Sequence, residues 1–277
     1  MRVEHGSQPF SHTFSRPKGD TMIIRNRALS MLILLPGIAI AQEPPPDSLT
    51  VGAAAEYAPR YSGDNHNTWS GVPVVQARHG AFFFDTEKGL GYDLQTDNGL
   101  WFEHSLGVSL GRGEKNSAWR EGANSLKGMG NIKTALNTRL ALGWSVTPWL
   151  TLEGQATLPL TDSQGVQYQT SFTLVPFQSE ADTLALESAA LFGDSRYLNT
   201  FYGVDAQQSA RSGYTPYRTS GGFYGVSNNL SWSHQFDEHW GATLSAGYTW
   251  LADKADNSPI VHTRNQTTTA LAVTYTF

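Results

Sequence analysis

The closing residues 265–277 constrain this chain most, because they alternate with a period of two and finish on an aromatic residue. From Thr269 onward the odd positions Leu271, Val273, Tyr275 and Phe277 are apolar or aromatic, whereas Ala270, Ala272, Thr274 and Thr276 are small or weakly polar. A segment of this kind is a strand with one greasy and one wettable face. Soluble sheets use the same pattern. The length of the segment, its end on Phe277 and its recurrence upstream point instead to an all-β, antiparallel transmembrane β-barrel with its apolar face outward.

The recurrence is specific about where charge falls. Residues 49–57 set Leu49, Val51, Ala53 and Tyr57 against Glu56, and residues 100–110 set Leu100, Phe102, Leu106, Val108 and Leu110 against Glu103, with His104 as an exception on the apolar side. Residues 132–146 place Leu136, Leu140, Leu142, Trp144 and Val146 opposite Lys133 and Arg139. Segments 150–160, 184–192, 224–236 and 240–250 repeat the rhythm, with Glu153 and Glu187 on the polar parity. Glu56, Glu103, Lys133, Arg139, Glu153 and Glu187 are therefore the expected polar interior. Residues 72–94 read either as two short hairpins or as one bent strand. The expected count is about twelve strands, with ten as the alternative. A β-sandwich ranks lower, since its strands run to about 5–6 residues.

Connection lengths give the orientation. Residues 147–149, 178–182 and 237–239 are tight turns, whereas 112–131, 193–218 and 251–265 are long. Outer-membrane barrels turn tightly on the periplasmic side and carry long loops outside, so both termini are expected in the periplasm. Trp144, Trp149, Trp232, Trp240 and Trp250 fall near strand ends, where amphipathic rings settle at headgroup level against outer-membrane lipid. Val273, Tyr275 and Phe277 are the expected insertion signal of the closing strand.

The amino-terminal part reads as targeting. After a polar stretch, 1–21, Met22 begins a segment with basic Arg25 and Arg27, an apolar run 28–40 and the small-x-small site Ala39-Ile40-Ala41. This is the pattern of a signal peptide over 22–41, which makes 1–21 an upstream extension absent from the physiological product. A Pro-rich linker, 42–48, then leads into a barrel over 49–277. The chain has no cysteine, hence no lipoprotein anchor, and its net charge of −5 without a basic face argues against nucleic acid.

No catalytic constellation is legible. The histidines occupy no Gly-x-Ser-x-Gly or His-Glu-x-x-His setting, and no cofactor site is expected. Asp253, Asp256 and Asn257 offer hard oxygen ligands but lack a calcium-loop signature, so a solvated loop is the favoured reading and no metal site is expected.

Several short motifs occur in order: Tyr57-Ala58-Pro59-Arg60-Tyr61-Ser62-Gly63, Ala77-Arg78-His79-Gly80-Ala81-Phe82-Phe83, Gly89-Leu90-Gly91-Tyr92, and Leu126-Lys127-Gly128-Met129-Gly130-Asn131-Ile132. Tyr202-Gly203-Val204-Asp205 with Gln208 and Ser212-Gly213 follows, then Asp256-Asn257-Ser258-Pro259-Ile260-Val261. This series resembles the MipA/OmpV family of outer-membrane proteins. The resemblance implies a non-enzymatic barrel acting as a scaffold for peptidoglycan-remodelling enzymes, with a murein lytic transglycosylase and a murein synthase as partners. A narrow small-solute channel and a surface adhesin are the alternatives. Ten or twelve strands leave no wide aqueous bore, which is typical from about 16 strands upward.

Overall fold

The structure, a computed structural model, describes residues 47–277. The expected signal peptide, the upstream extension and the linker up to residue 46 lie outside the described residues. Twelve antiparallel strands close into one barrel. They are β1 (Ser48–Pro59), β2 (Asn67–His79), β3 (Phe82–Asp85), β4 (Gly89–Gln95), β5 (Leu100–Ser109), β6 (Ala135–Thr147), β7 (Leu150–Pro159), β8 (Gln167–Gln178), β9 (Asp182–Gly193), β10 (Gly222–Gln235), β11 (Trp240–Leu251) and β12 (Asn265–Thr276). Each pairs with its neighbours in sequence, and β1 with β12 completes the ring from Thr50↔Thr276 to Tyr57↔Thr269. The Phe277 N–H donates to the Leu49 carbonyl at 3.0 Å, so the chain's last residue extends the closing ladder.

Alternation decides which way each side chain points. In β6, Ala135, Ala141 and Ser145 are buried while Leu136, Leu142 and Trp144 are exposed; in β12, Ala272 and Thr274 are buried while Leu271 and Val273 are exposed. The buried parity faces the lumen, and the exposed apolar parity forms a continuous outer belt. That distribution is the reverse of a soluble sheet and suits a surface bathed in lipid. Close approach across the lumenal wall sets local sequence: a Cβ on Gly143 would collide with the Trp101 ring, so this indole packs over a position only glycine can occupy.

The wall is not of even height. β3 has 4 residues and β4 has 7, against 10 to 14 in the other ten strands. The ambiguous stretch 72–94 is thus the end of β2 followed by a low hairpin. β2 pairs with β3 only from Gln76 to His79, while β1 accompanies it along its whole length. Its first half is therefore a sheet edge. Val75 bonds to Thr86 on that side, so Pro73, two residues earlier, turns its donor-free nitrogen to the same open edge, where no ladder bond is lost.

Three sequence expectations need correction. Residue 133 precedes β6, so Lys133 is an exposed loop residue and not a lumenal charge; its carbonyl accepts from Gln164. β8 is a full strand that alternation did not single out, with a bulge around Pro176 that shifts its register against β9. The long link after β9 is ordered as two helices, α1 (Ser195–Phe201) and α2 (Ala206–Ser212). Asp194 caps α1; Asp205 and Gln208 form a capping box on α2, which ends on Gly213 in the left-handed region. A last short helix, α3 (Asp253–Asp256), follows β11.

Candidate functional site: a capped lumen

The start of β1, the end of β12 and the tight turns 147–149, 178–182 and 237–239 lie at one end of the barrel, and the long connections meet at the other. There they form a cap with its own apolar core. Leu198 and Tyr202 from the α1 segment pack on Ala189 and Leu191 of β9, Tyr224 of β10, Leu251 of β11 and Ala255 of α3. A second cluster joins Tyr61, Ala123, Leu126, Met129, Val204 and Ile260, which come from four separate connections. Tyr61, Leu126, Leu198 and Ile260 are all at most 1% exposed, a degree of burial unusual for surface loops.

Hydrogen bonds fix the same junctions. The Tyr61 hydroxyl donates to the Ile260 carbonyl at 2.7 Å, Gln208 Nε2 to the Met129 carbonyl at 3.0 Å and Arg211 Nε to the Gly128 carbonyl at 3.1 Å. Gly128 has φ +89°, and a Cβ there would meet the Arg211 backbone at 2.7 Å, so the loop fits against α2 only with glycine. Arg112 is buried, donates to the Phe201 carbonyl and lies over the Tyr61 ring at 5.6 Å; desolvation lowers its proton affinity. Burial likewise raises the phenols of Tyr61 and Tyr202. Glu114 accepts from the Gly128 and Gly130 N–H groups at 2.9 and 3.0 Å, and those donors hold its carboxyl below the ordinary value of 4.5. Thus four of the six motifs quoted above meet in one body, the cap. The other two build the β2–β3–β4 region.

Beneath the cap the lumen is polar. Glu56 is half-buried on the inward parity of β1. Glu103 accepts from Lys88 Nζ at 2.7 Å, Arg139 lies 3.4 Å from Glu153, and Glu187 accepts from Gln169 Nε2 at 3.2 Å. The low hairpin is tied to its neighbours by Arg78 to Asp93 (Nη1 to Oδ1, 3.0 Å) and by Gln76 to Asp85 (2.7 Å). Glu56, Asp85, Asp93, Glu103, Glu153 and Glu187 outnumber the lumenal cations Arg78, Lys88 and Arg139. Against the wall of β8 to β12 there is a cavity of about 270 Å³, bounded above by Tyr197 and Tyr202.

The remaining expected residues lie on the outer belt. Trp144, Trp149, Trp232 and Trp240 are exposed near the terminal end, and Trp250, half-buried beneath the Arg264 guanidinium, is at the capped end. Val273 and Phe277 are exposed, and Tyr275 is half-buried among His239, Trp240 and Phe277. His104, the exception to the parity, bonds through Nε2 to Thr138 and packs edge-on to Tyr92, which supplies a polar partner on an apolar face. Asp253 and Asp256 both pair with Arg264, so those carboxylates already have a counter-charge. Among the described residues no group of three or more His, Cys, Asp or Glu side chains is placed to hold a metal ion.

The family model for MltA-interacting protein MipA matches residues 51–277. The chain belongs to the MipA family. A MipA-family barrel is an outer-membrane protein, and that is the location of this chain. No individually curated protein matches it. Solved structures similar to it include the KdgM porin (11% identity, TM-score 0.44, covering 82% of this chain and 99% of that one). The CymD monoaromatic hydrocarbon channel gives 9%, 0.43, 84% and 88%, and the translocator domain of autotransporter NalP from Neisseria meningitidis 10%, 0.44, 85% and 90%. Likeness this low carries nothing about cargo to the MipA-family chain.

Proposed function

We propose that this MipA-family barrel is a non-enzymatic scaffold, holding peptidoglycan-remodelling enzymes at the inner face of the outer membrane. The observation that carries the reading is the cap: a lumen covered at one end by two buried apolar clusters favours a platform over an open passage. The family's own description, an MltA-interacting protein, supports a murein lytic transglycosylase as the class of partner; a murein synthase as the second is what the family resemblance implies. In this reading the termini and tight turns face the periplasm, and residues 42–48 with the turns at Pro148, Glu180 and Glu238 meet the enzymes. Asp47 already ties the end of that linker to the β2–β3 turn, through His79 at 2.8 Å and the Gly80 N–H at 3.3 Å. The closing strand, through Val273, Tyr275 and Phe277, is the insertion signal.

Affinity capture from envelopes tests the scaffold. The full-length protein should retain a murein transglycosylase, and exchanging the three turns for Gly-Ser should release it. Retention of neither class of murein enzyme would refute the role. A second reading, a narrow cation-preferring channel, is favoured by the excess of lumenal carboxylates over cations. It requires that the cap open.

A further inference from the structure

We propose that the cavity beneath the cap is a binding site for a small, uncharged, polyhydroxylated ligand of monosaccharide size. The volume, about 270 Å³, lies just under the roughly 300–1,000 Å³ of drug-sized pockets, which limits the occupant to a single ring or its equivalent. One wall is aromatic and apolar. The rings of Tyr197 and Tyr224 are 5.8 Å apart and those of Tyr202 and Tyr224 5.7 Å, with Leu191 and Leu251 beside them. Such a wall suits the C–H face of a ring.

The polar lining decides the class. Glu187, Asn229 and Gln266 all line the cavity, and each has a solvent-sealed atom with no hydrogen-bond partner: Glu187 Oε2, Asn229 Nδ2 and Gln266 Nε2. Glu187 and Gln266 are 4% and 6% exposed, so these are costly groups to leave unpaired. Ser62 Oγ donates to Gln266 Oε1 at 3.4 Å, which leaves the amide nitrogen as the unpaired group of this cavity-lining residue. The set is one acceptor and two donors. An organic ammonium ion satisfies Glu187 and enjoys the aromatic faces, yet strands both amide donors. A carboxylate ligand satisfies the amides but carries only acceptors, so it leaves the Glu187 oxygen unpaired. An apolar ligand satisfies none of them. A hydroxyl both donates and accepts, so a ligand bearing several on a compact ring meets all three groups.

This site does not depend on the scaffold role, and its test reads ligand rather than partner. The full-length protein in detergent is titrated with D-glucose, D-galactose and N-acetyl-D-glucosamine, and in parallel with putrescine and acetate, by calorimetry and ligand-observed NMR. At least one sugar should bind saturably and ahead of both ions. Affinity should fall about tenfold in Gln266→Leu, and by a similar factor in Glu187→Gln, each checked for heat-modifiable migration as a closed barrel. Glu187→Gln keeps the shape of the site and guards against loss of fold. Preference for putrescine or acetate would overturn the assigned class, and no binding of any probe would overturn the site.

Discussion

The barrel wall is built in two ways on opposite sides, and the contrast shows what each side is for. Beneath the helices, β9, β10 and β11 run 12 to 14 residues with long ladders, interrupted by one register shift at Leu191/Phe192 where β9 meets β10, and carry an apolar cap. Across the lumen, β3 and β4 are 4 and 7 residues long, and charged or polar cross-strand pairs, Arg78 with Asp93, Gln76 with Asp85 and Lys88 with Glu103, hold the low hairpin in place. Where the ladder is long, backbone bonds suffice and the spare surface becomes a packed lid. Where it is short, lumenal side chains supply what the missing backbone bonds do not.

That contrast predicts separable failures. The largest comes from the cap: Leu198→Ala should cost about 2–5 kcal/mol locally, as large-to-small changes in a packed core do. Hydrogen exchange should accelerate in α1, α2 and residues 126–129 while the barrel ladders keep their protection. A smaller loss follows at the low wall, where Arg78→Ala leaves Asp93 without its partner. Both side chains are about a quarter exposed to a wet lumen, so roughly 1–3 kcal/mol is expected, read as a lower urea midpoint in vesicles. The double variant should be additive, since the two sites share no partner; strong coupling would merge the regions into one.

The smallest effect is a pH dependence confined to the cap. The Gly128 and Gly130 N–H groups lower the Glu114 carboxyl when the loop is folded, so its stabilisation is present above 4.5. It is lost as pH falls through 4.5 toward the lower folded value. Protection factors at Gly128 and Gly130, corrected for the intrinsic exchange rate at each pH, should therefore fall in acid, and Glu114→Gln should flatten that dependence without touching the low wall.

The strands were legible because lipid and lumen impose opposite demands on neighbouring residues, and charges such as Glu103, Arg139, Glu153 and Glu187 reveal the inner parity. β8 was obscured by Thr170 on its outer face and by the register shift around Pro176, although Tyr168, Phe172 and Leu174 against Gln167, Gln169 and Thr173 carry the signal. Lys133 was misplaced because β6 starts two residues after it, which parity alone does not reveal. The helix caps Asp194, Asp205 and Gln208 were readable in principle. The cap as a body was not. Its core joins residues near 61, 126, 204 and 260, and no local pattern says that these connections fold onto each other rather than into solvent.

The claim that the cap closes the lumen, and so makes the barrel a platform, is tested most directly in planar bilayers. The intact protein should be electrically silent, and replacing residues 195–212 by a short Gly-Ser linker should produce stepwise conductance. Steps of equal size from both forms, with cations favoured, would contradict the scaffold reading and support the channel.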